Sequence, residues 1–307
     1  MKNQSSAILA SPHPLSTRAG LWWGLLGVTA FSFTLPLTRV ALGALSPQFI
    51  GAGRAVVAAA LAAVALLVTR QLWPTRRQWA RLCIVAGGIV IGFPMLTSYA
   101  LQTAPASHGA MVIGLLPAAT AVMAVIRGKE RPSRSFWVFA LLGAIAALFF
   151  TSLQHGGWGG LHWSDVLLFG AVVAAAVGYA EGGLLARELG AWQTVSWALL
   201  AAAPLMVALL ASTMTEEWPR ASTAQWAAFL YLGVVSMFLG FFAWYRGLAI
   251  GPMAQVSQMQ LAQPVMTMLW AALLLGEHLG MATILGGSAV ILSAALAVRA
   301  RSRRKDV

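Results

Sequence analysis

Three glutamines, Gln255, Gln258 and Gln263, fall inside one long apolar stretch near the end of the chain, with Met259 among them. At 100° per residue these four share one side of a helix, whereas Gln260 points elsewhere. An amide carries donor and acceptor together and is costly against lipid but useful against a wet cavity. This side could therefore meet both the ammonium and the carboxylate of a zwitterion without a fixed charge. The same side chains could instead bind neighbouring helices to one another.

Other groups with chemical potential are sparse. His108 and Met111 lie on an earlier apolar stretch that presents an otherwise greasy side. Facing the glutamines, it would suit a solute polar at one end and apolar at the other. Tyr99, Trp163, Tyr179 and Trp244 could stack on a ring or a cation, or belong to the interfacial aromatic belts. Glu181 is the carboxylate placed clearly inside an apolar stretch, while Glu130, Asp165, Glu188 and Glu277 fall at ends or in loops. Such a carboxylate is a proton carrier or the partner of Arg54 or Arg187. Arg54, two turns into its own stretch, pairs with carbonyls or snorkels outward. The five histidines are scattered and Cys83 is the single cysteine, so no metal site, disulfide or cofactor is expected. No His-Glu-x-x-His, Gly-x-Ser-x-Gly or phosphate-binding loop occurs, so the chain reads as no enzyme.

The elements that must position these groups follow from composition. Apolar residues make up 59% and charged ones 9%, too little polar surface for a soluble domain of 307 residues. The stretches are continuously apolar and do not alternate, which excludes a barrel and leaves transmembrane helices. Ten spans are expected, at roughly 20–41, 47–69, 80–101, 105–127, 134–153, 163–187, 190–212, 224–246, 252–275 and 279–299. Of the 20 Lys and Arg, all but Arg39, Arg54 and Arg220 then fall on the side of the N-terminus. The positive-inside rule puts both termini in the cytoplasm. The charge of +12 thus reflects topology and lipid contact, with no nucleic-acid role.

The chain is also one half written twice. Pro105, Pro117 and Glu130 recur as Pro252, Pro264 and Glu277 at one constant offset. Five spans per half is an odd number, so the halves enter the membrane from opposite faces. The expected fold is all-α, two inverted five-helix repeats at 20–153 and 154–299, with an N-terminal tail (1–19) and a basic tail (300–307). The fourth and ninth spans are equivalent, and Pro117 and Pro264 are candidate hinges. Gly88/Gly92, Gly178/Gly182 and Gly247/Gly251 have the spacing that lets helices touch and slide.

Tyr99-Ala100-Leu101, Pro105-Ala106, Pro117 and Gly128-Lys129-Glu130 in the first half are joined by Gly251-Pro252, Pro264, Gly276-Glu277 and Gly286-Gly287 in the second. These residues resemble the EamA-like family of the drug/metabolite transporter superfamily, and the likeness covers about Gly20 to Val298. Among its members the chain is most similar to exporters of aromatic and hydrophobic amino acids. The resemblance implies a ten-helix inner-membrane carrier working by alternating access, here expected as a monomer among lipids exporting amino acids or amphipathic metabolites. Facilitated diffusion is the leading scheme, because only Glu181 and His108 could carry a proton; the alternative is a proton-coupled multidrug or organic-cation antiporter.

Overall fold

The computed structural model describes residues 17–128, 134–154, 162–213, 219–250, 256 and 259–302. Among the described residues, six helices are long and apolar enough to cross a membrane: α1 (Arg18–Ala41), α2 (Pro47–Val68), α3 (Arg76–Ala100), α6 (Trp163–Leu189), α7 (Ala191–Thr213) and α8 (Thr223–Ile250). Shorter apolar segments complete the bundle. These are α4 (Ala106–Ile113, then Leu116–Gly128), α5 (Arg134–Gln154), α9 (Met259–Leu261, then Ala262–Leu275) and α10 (Met281–Ser302). No strand occurs among the described residues.

Helix ends follow local chemistry. The Ser46 hydroxyl accepts from the Phe49 amide ahead of Pro47, which opens α2. Thr75 with Gln78 forms a reciprocal capping box at the start of α3, and Ser222 with Gln225 forms the same box at the start of α8. Gly276, at φ 65°, closes α9 in the left-handed conformation that other residues adopt only with strain. The turn between α6 and α7 is a single residue, Gly190, at φ 97°.

The duplication is written into the backbone as well as the letters. The two capping boxes stand at equivalent positions in α3 and α8, and each helix then widens into a π-helical segment, Ala86–Gly92 in one and Leu232–Leu239 in the other. Helices α4 and α9 are each interrupted just before the repeated proline. In α4 the break is at Gly114 and Leu115, and in α9 it is the 3-10 turn Met259–Leu261. A proline removes one amide donor and crowds the carbonyl four residues back, here Ile113 ahead of Pro117 and Gln260 ahead of Pro264.

Packing obeys the same symmetry. Helix α2 lies along α7, α5 along α10 and α4 against α9, so each of these pairs is its own image under exchange of the halves. Helix α1 packs on α8 and α3 on α6, and the exchange converts one pair into the other. Ten alternating segments return the chain to the end of the bundle where it starts. That end is termed proximal and the opposite end distal. Glycines allow the closest crossings: a Cβ on Gly88 of α3 would stand 2.8 Å from the Gly178 amide nitrogen of α6. On Gly247 of α8 it would stand 2.7 Å from the Gly24 amide nitrogen of α1.

Candidate functional site

Helices α1, α6 and α8 meet around a cluster of rings at mid-depth. Phe31 of α1 stacks on Tyr179 of α6, with centroids 6.4 Å apart, and tilts against Phe241 of α8 at 4.8 Å. Tyr179 also contacts Phe241 at 5.8 Å and Trp244 at 6.1 Å, and Phe241 contacts Tyr245 at 5.7 Å. All five rings are buried, and the Tyr245 hydroxyl donates to the Gly178 carbonyl at 3.3 Å. Offset and edge contacts of this kind suit an aromatic or apolar guest as readily as they suit one another.

Of the aromatic candidates, the structure thus brings together Tyr179 and Trp244. It separates Tyr99 and Trp163 from them. Trp163 opens α6 at the distal end with 72% of its surface exposed, and Tyr99 is 39% exposed with its hydroxyl 3.4 Å from the Gln48 side chain. Both positions are on the correct helices, but their side chains leave the convergence. Span membership cannot reveal which way a ring turns.

The amide-bearing helix departs from the expected geometry. Gln255 and Gln258 lie outside the described residues. Met259 begins the 3-10 turn, half-buried, and packs toward Gly24. Because this turn replaces the α-helical advance of 100° per residue, Gln260 does not point away as a regular helix would have it. It is buried with both amide atoms lacking hydrogen-bond partners among the described residues, and Gln263 is buried with its Oε1 likewise unpartnered. Gln260 and Gln263 are thus both buried amides of α9, whereas a regular helical advance would point Gln260 elsewhere. Trp244 Nε1 and Ser98 Oγ are further buried polar atoms without partners among the described residues.

The charged groups are distributed by depth. At the proximal end Arg81 of α3 grips two carboxylates of α6, Glu181 through Nε and Glu188 through Nη1. Glu181 is thus tied to Arg81, a partner that the span assignment did not name. At the distal end His108 Nε2 of α4 lies 2.7 Å from Asp165 Oδ1 of α6, both side chains buried. The second oxygen of Asp165 accepts from the His162 amide at 2.9 Å, closing the N-terminus of α6. Asp165, read as an end residue, is therefore a buried carboxylate. Its third position in the helix, three residues after the N-cap His162, was the available signal. Met111 is buried one turn beyond His108.

Glu277, at the distal end of α9, reaches across to α4 of the other half. Its carboxylate accepts from the Ala106 amide at 2.8 Å and the Ser107 amide at 2.9 Å. An anion at a helix N-terminus satisfies orphan donors and opposes the helix dipole. Replacing Glu277 by Ala removes two charge-assisted bonds and should cost about 2 kcal/mol. Gln should recover part of this. The check is the melting temperature of the purified protein in detergent; a Glu277→Ala protein as stable as wild type would contradict the capping role.

At the same distal end, a cavity of about 420 Å³ is lined by Arg39, Leu42 and Gly43 of the α1 end and by Gln102. The Arg39 guanidinium donates to the carbonyls of Leu101 at 2.5 Å and Gln102 at 2.8 Å. No cluster of three or more potential metal ligands occurs among the described residues.

A sequence model of the EamA-like transporter family matches residues 18–152 and again 162–299. The chain is 42% identical over 276 residues to an uncharacterized transporter of Bacillus subtilis, YdeK, covering 90% of this chain and 96% of that one. It is 27% identical over 283 residues to YddG of Ancylobacter novellus, an aromatic amino acid exporter, covering 87% of this chain and 95% of the other. A solved crystal structure superimposes with a TM-score of 0.62 at 20% identity, covering 94% of this chain and 99% of its own, a likeness of fold alone.

Proposed function

The chain belongs to the EamA-like transporter family, a multi-pass membrane carrier, and from that premise we propose that it exports aromatic and other hydrophobic amino acids and related amphipathic metabolites. The observation that carries this reading is the buried ring cluster of Phe31, Tyr179, Phe241, Trp244 and Tyr245, placed where helices of both halves cross. A ring-bearing side chain entering here exchanges protein contacts for its own. The Gln260 amide and the Gln263 Oε1 on the broken α9, without partners among the described residues, offer a donor and acceptors to the polar end. Support also comes from the exporter activity of the Ancylobacter relative.

The lysine and arginine distribution favours a cytoplasmic location of both termini in the inner membrane. The proximal end is then the cytoplasmic face. Arg81 and its two carboxylates bind α3 to α6 there, while the cavity beside Arg39 lies at the opposite end. Such an asymmetry fits a carrier that opens one end at a time, working as a monomer without a cofactor. Its two arrangements are biased only by substrate that binds them unequally.

One observation favours a second reading. The buried His108 and Asp165 pair couples α4 to α6 with a titratable ring between them, a place for a proton that could drive antiport. Proteoliposome uptake of radiolabelled phenylalanine and tryptophan, with and without an imposed pH gradient, separates the schemes. Saturable flux indifferent to the gradient is expected for facilitated diffusion. Flux that requires the gradient, and loses that requirement in Asp165→Asn, would transfer the mechanism to this pair. Saturable movement of an organic dication in place of the amino acids would overturn the substrate reading.

A further inference from the structure

Arg54 stands seven residues into α2, about 10 Å along the helix from its distal end. An arginine at this depth ordinarily snorkels to the interface or pairs with a carboxylate or backbone carbonyls. It does neither. The residue is 2% exposed, so its side chain is enclosed by protein, and Nε and Nη1 have no hydrogen-bond partner among the described residues. Each described carboxylate is committed elsewhere: Asp165 to His108, Glu181 and Glu188 to Arg81, Glu277 to the start of α4. Enclosing an uncompensated guanidinium costs several kcal/mol, which makes a purely structural use of this position expensive.

What surrounds the charge is chemically specific. Arg54 lies within electrostatic reach of Tyr179, the residue at the centre of the ring cluster. Helix α2 carries it between α3, where Met95 packs on Gly51, and α8, where Gly233 packs on the Arg54 carbonyl and Val57. A fixed planar cation whose Nε and Nη1 lack partners among the described residues thus lies on α2 against α8, the helix that carries Phe241 and Trp244. The complementary guest is anionic at one end and a ring or alkyl body at the other, since guanidinium geometry matches a carboxylate.

We infer that Arg54 is the anchor for the carboxylate of the transported solute, with the remainder of the solute lying against Tyr179 and Trp244. This rests on the reading of the chain as an exporter of amphipathic metabolites, and it narrows that reading to carboxylates. Amino acids and aromatic or aliphatic organic acids qualify. The corresponding amines do not, because an ammonium without a carboxylate meets an uncompensated like charge. The organic-cation alternative is disfavoured on the same ground.

The test compares three probes on purified wild-type protein: phenylalanine, 3-phenylpropionate, which lacks the amine, and 2-phenylethylamine, which lacks the carboxylate. Phenylalanine and 3-phenylpropionate should raise the melting temperature, and the amine should not at the same concentration. In Arg54→Gln the shift given by the acid should vanish. In Arg54→Lys, which keeps the charge but not the planar fork, the acid should need a concentration roughly tenfold higher, equivalent to about 1.4 kcal/mol. Stabilisation by the amine equal to that by the acid, no stabilisation by either, or an acid shift that persists in Arg54→Gln would overturn the inference. If Arg54→Gln does not fold, the wild-type comparison of acid with amine decides alone. Proteoliposome flux of labelled phenylalanine separates this from the parent reading. Binding of 3-phenylpropionate without phenylalanine flux retains the carboxylate anchor and removes the amino-acid assignment. Phenylalanine flux unchanged in rate and KM by Arg54→Gln removes the anchor alone.

Discussion

Gly88→Val should destabilise the protein by about 3 kcal/mol or more, at the upper end for overpacking, while Gly87→Val next to it should change stability by no more than about 0.5 kcal/mol. The two glycines are neighbours in the π-helical part of α3, yet their surroundings differ completely. A Cβ on Gly88 would meet Gly178 at 2.8 Å from its nitrogen and 2.9 Å from its Cα, and would come closer still to the Ala174 carbonyl oxygen. These are backbone atoms of α6 and cannot rotate aside. A Cβ on Gly87 meets nothing within 4 Å. Relief at Gly88 therefore requires α3 and α6 to separate, and that crossing joins the two halves at mid-depth. The measurement is the melting temperature of detergent-solubilised protein together with phenylalanine flux in proteoliposomes. Equal loss in both variants would show that the effect is helix propensity and not the crossing.

That crossing was legible in the sequence because small residues four apart have one common use in lipid, and both Gly88/Gly92 and Gly178/Gly182 show the spacing. The order of ten spans and the doubling of the chain were legible for similar reasons, since apolar length and repeated prolines are local features. Even the capping boxes at Thr75 and Ser222 stand in the sequence at the repeat offset, just after Pro74 and Pro219. The broken helices are a different case. Pro117 and Pro264 announce a disturbance, but not whether the helix bends or changes to another winding. In α9 it becomes 3-10 for one turn, which rotates Gln260 into the protein.

Long-range pairing was the part that no local rule could supply. Arg81 and Glu181 are 100 residues apart, and His108 and Asp165 are 57 apart. Each looked like an end residue or a lone charge until α6 was placed between α3 and α4. The exposed rings of Tyr99 and Trp163 fail for the same reason, since a span assignment gives depth along a helix but not rotation about it. Arg54 is the instructive contrast. Its oddity was visible as an arginine inside an apolar stretch, but the absence of a partner among the described residues became observable only once α2 was packed against its neighbours.

The proximal ion cluster gives the second large expected effect, and it orders three substitutions. Arg81→Ala removes the Arg81 cation from the buried Glu181 and one of the ties of α6 to α3; a broken buried pair costs about 3 kcal/mol at the lower end of the usual range. Glu181→Gln keeps an oxygen that can still accept from Arg81 Nε, and Arg81 keeps Glu188, so about 1 kcal/mol is expected. Glu188 is 48% exposed, and Glu188→Gln should fall within about 0.5 kcal/mol of wild type. Melting temperatures in low salt would read the series, and a Glu188 effect as large as that of Arg81 would show that the cluster is not organised around Glu181. Flux gives an independent reading. Under facilitated diffusion Glu181→Gln retains transport and stays indifferent to a pH gradient, because its role is to hold α3 against α6. Loss of transport in a protein that melts normally would instead identify Glu181 as the proton carrier and leave His108 and Asp165 with a structural role.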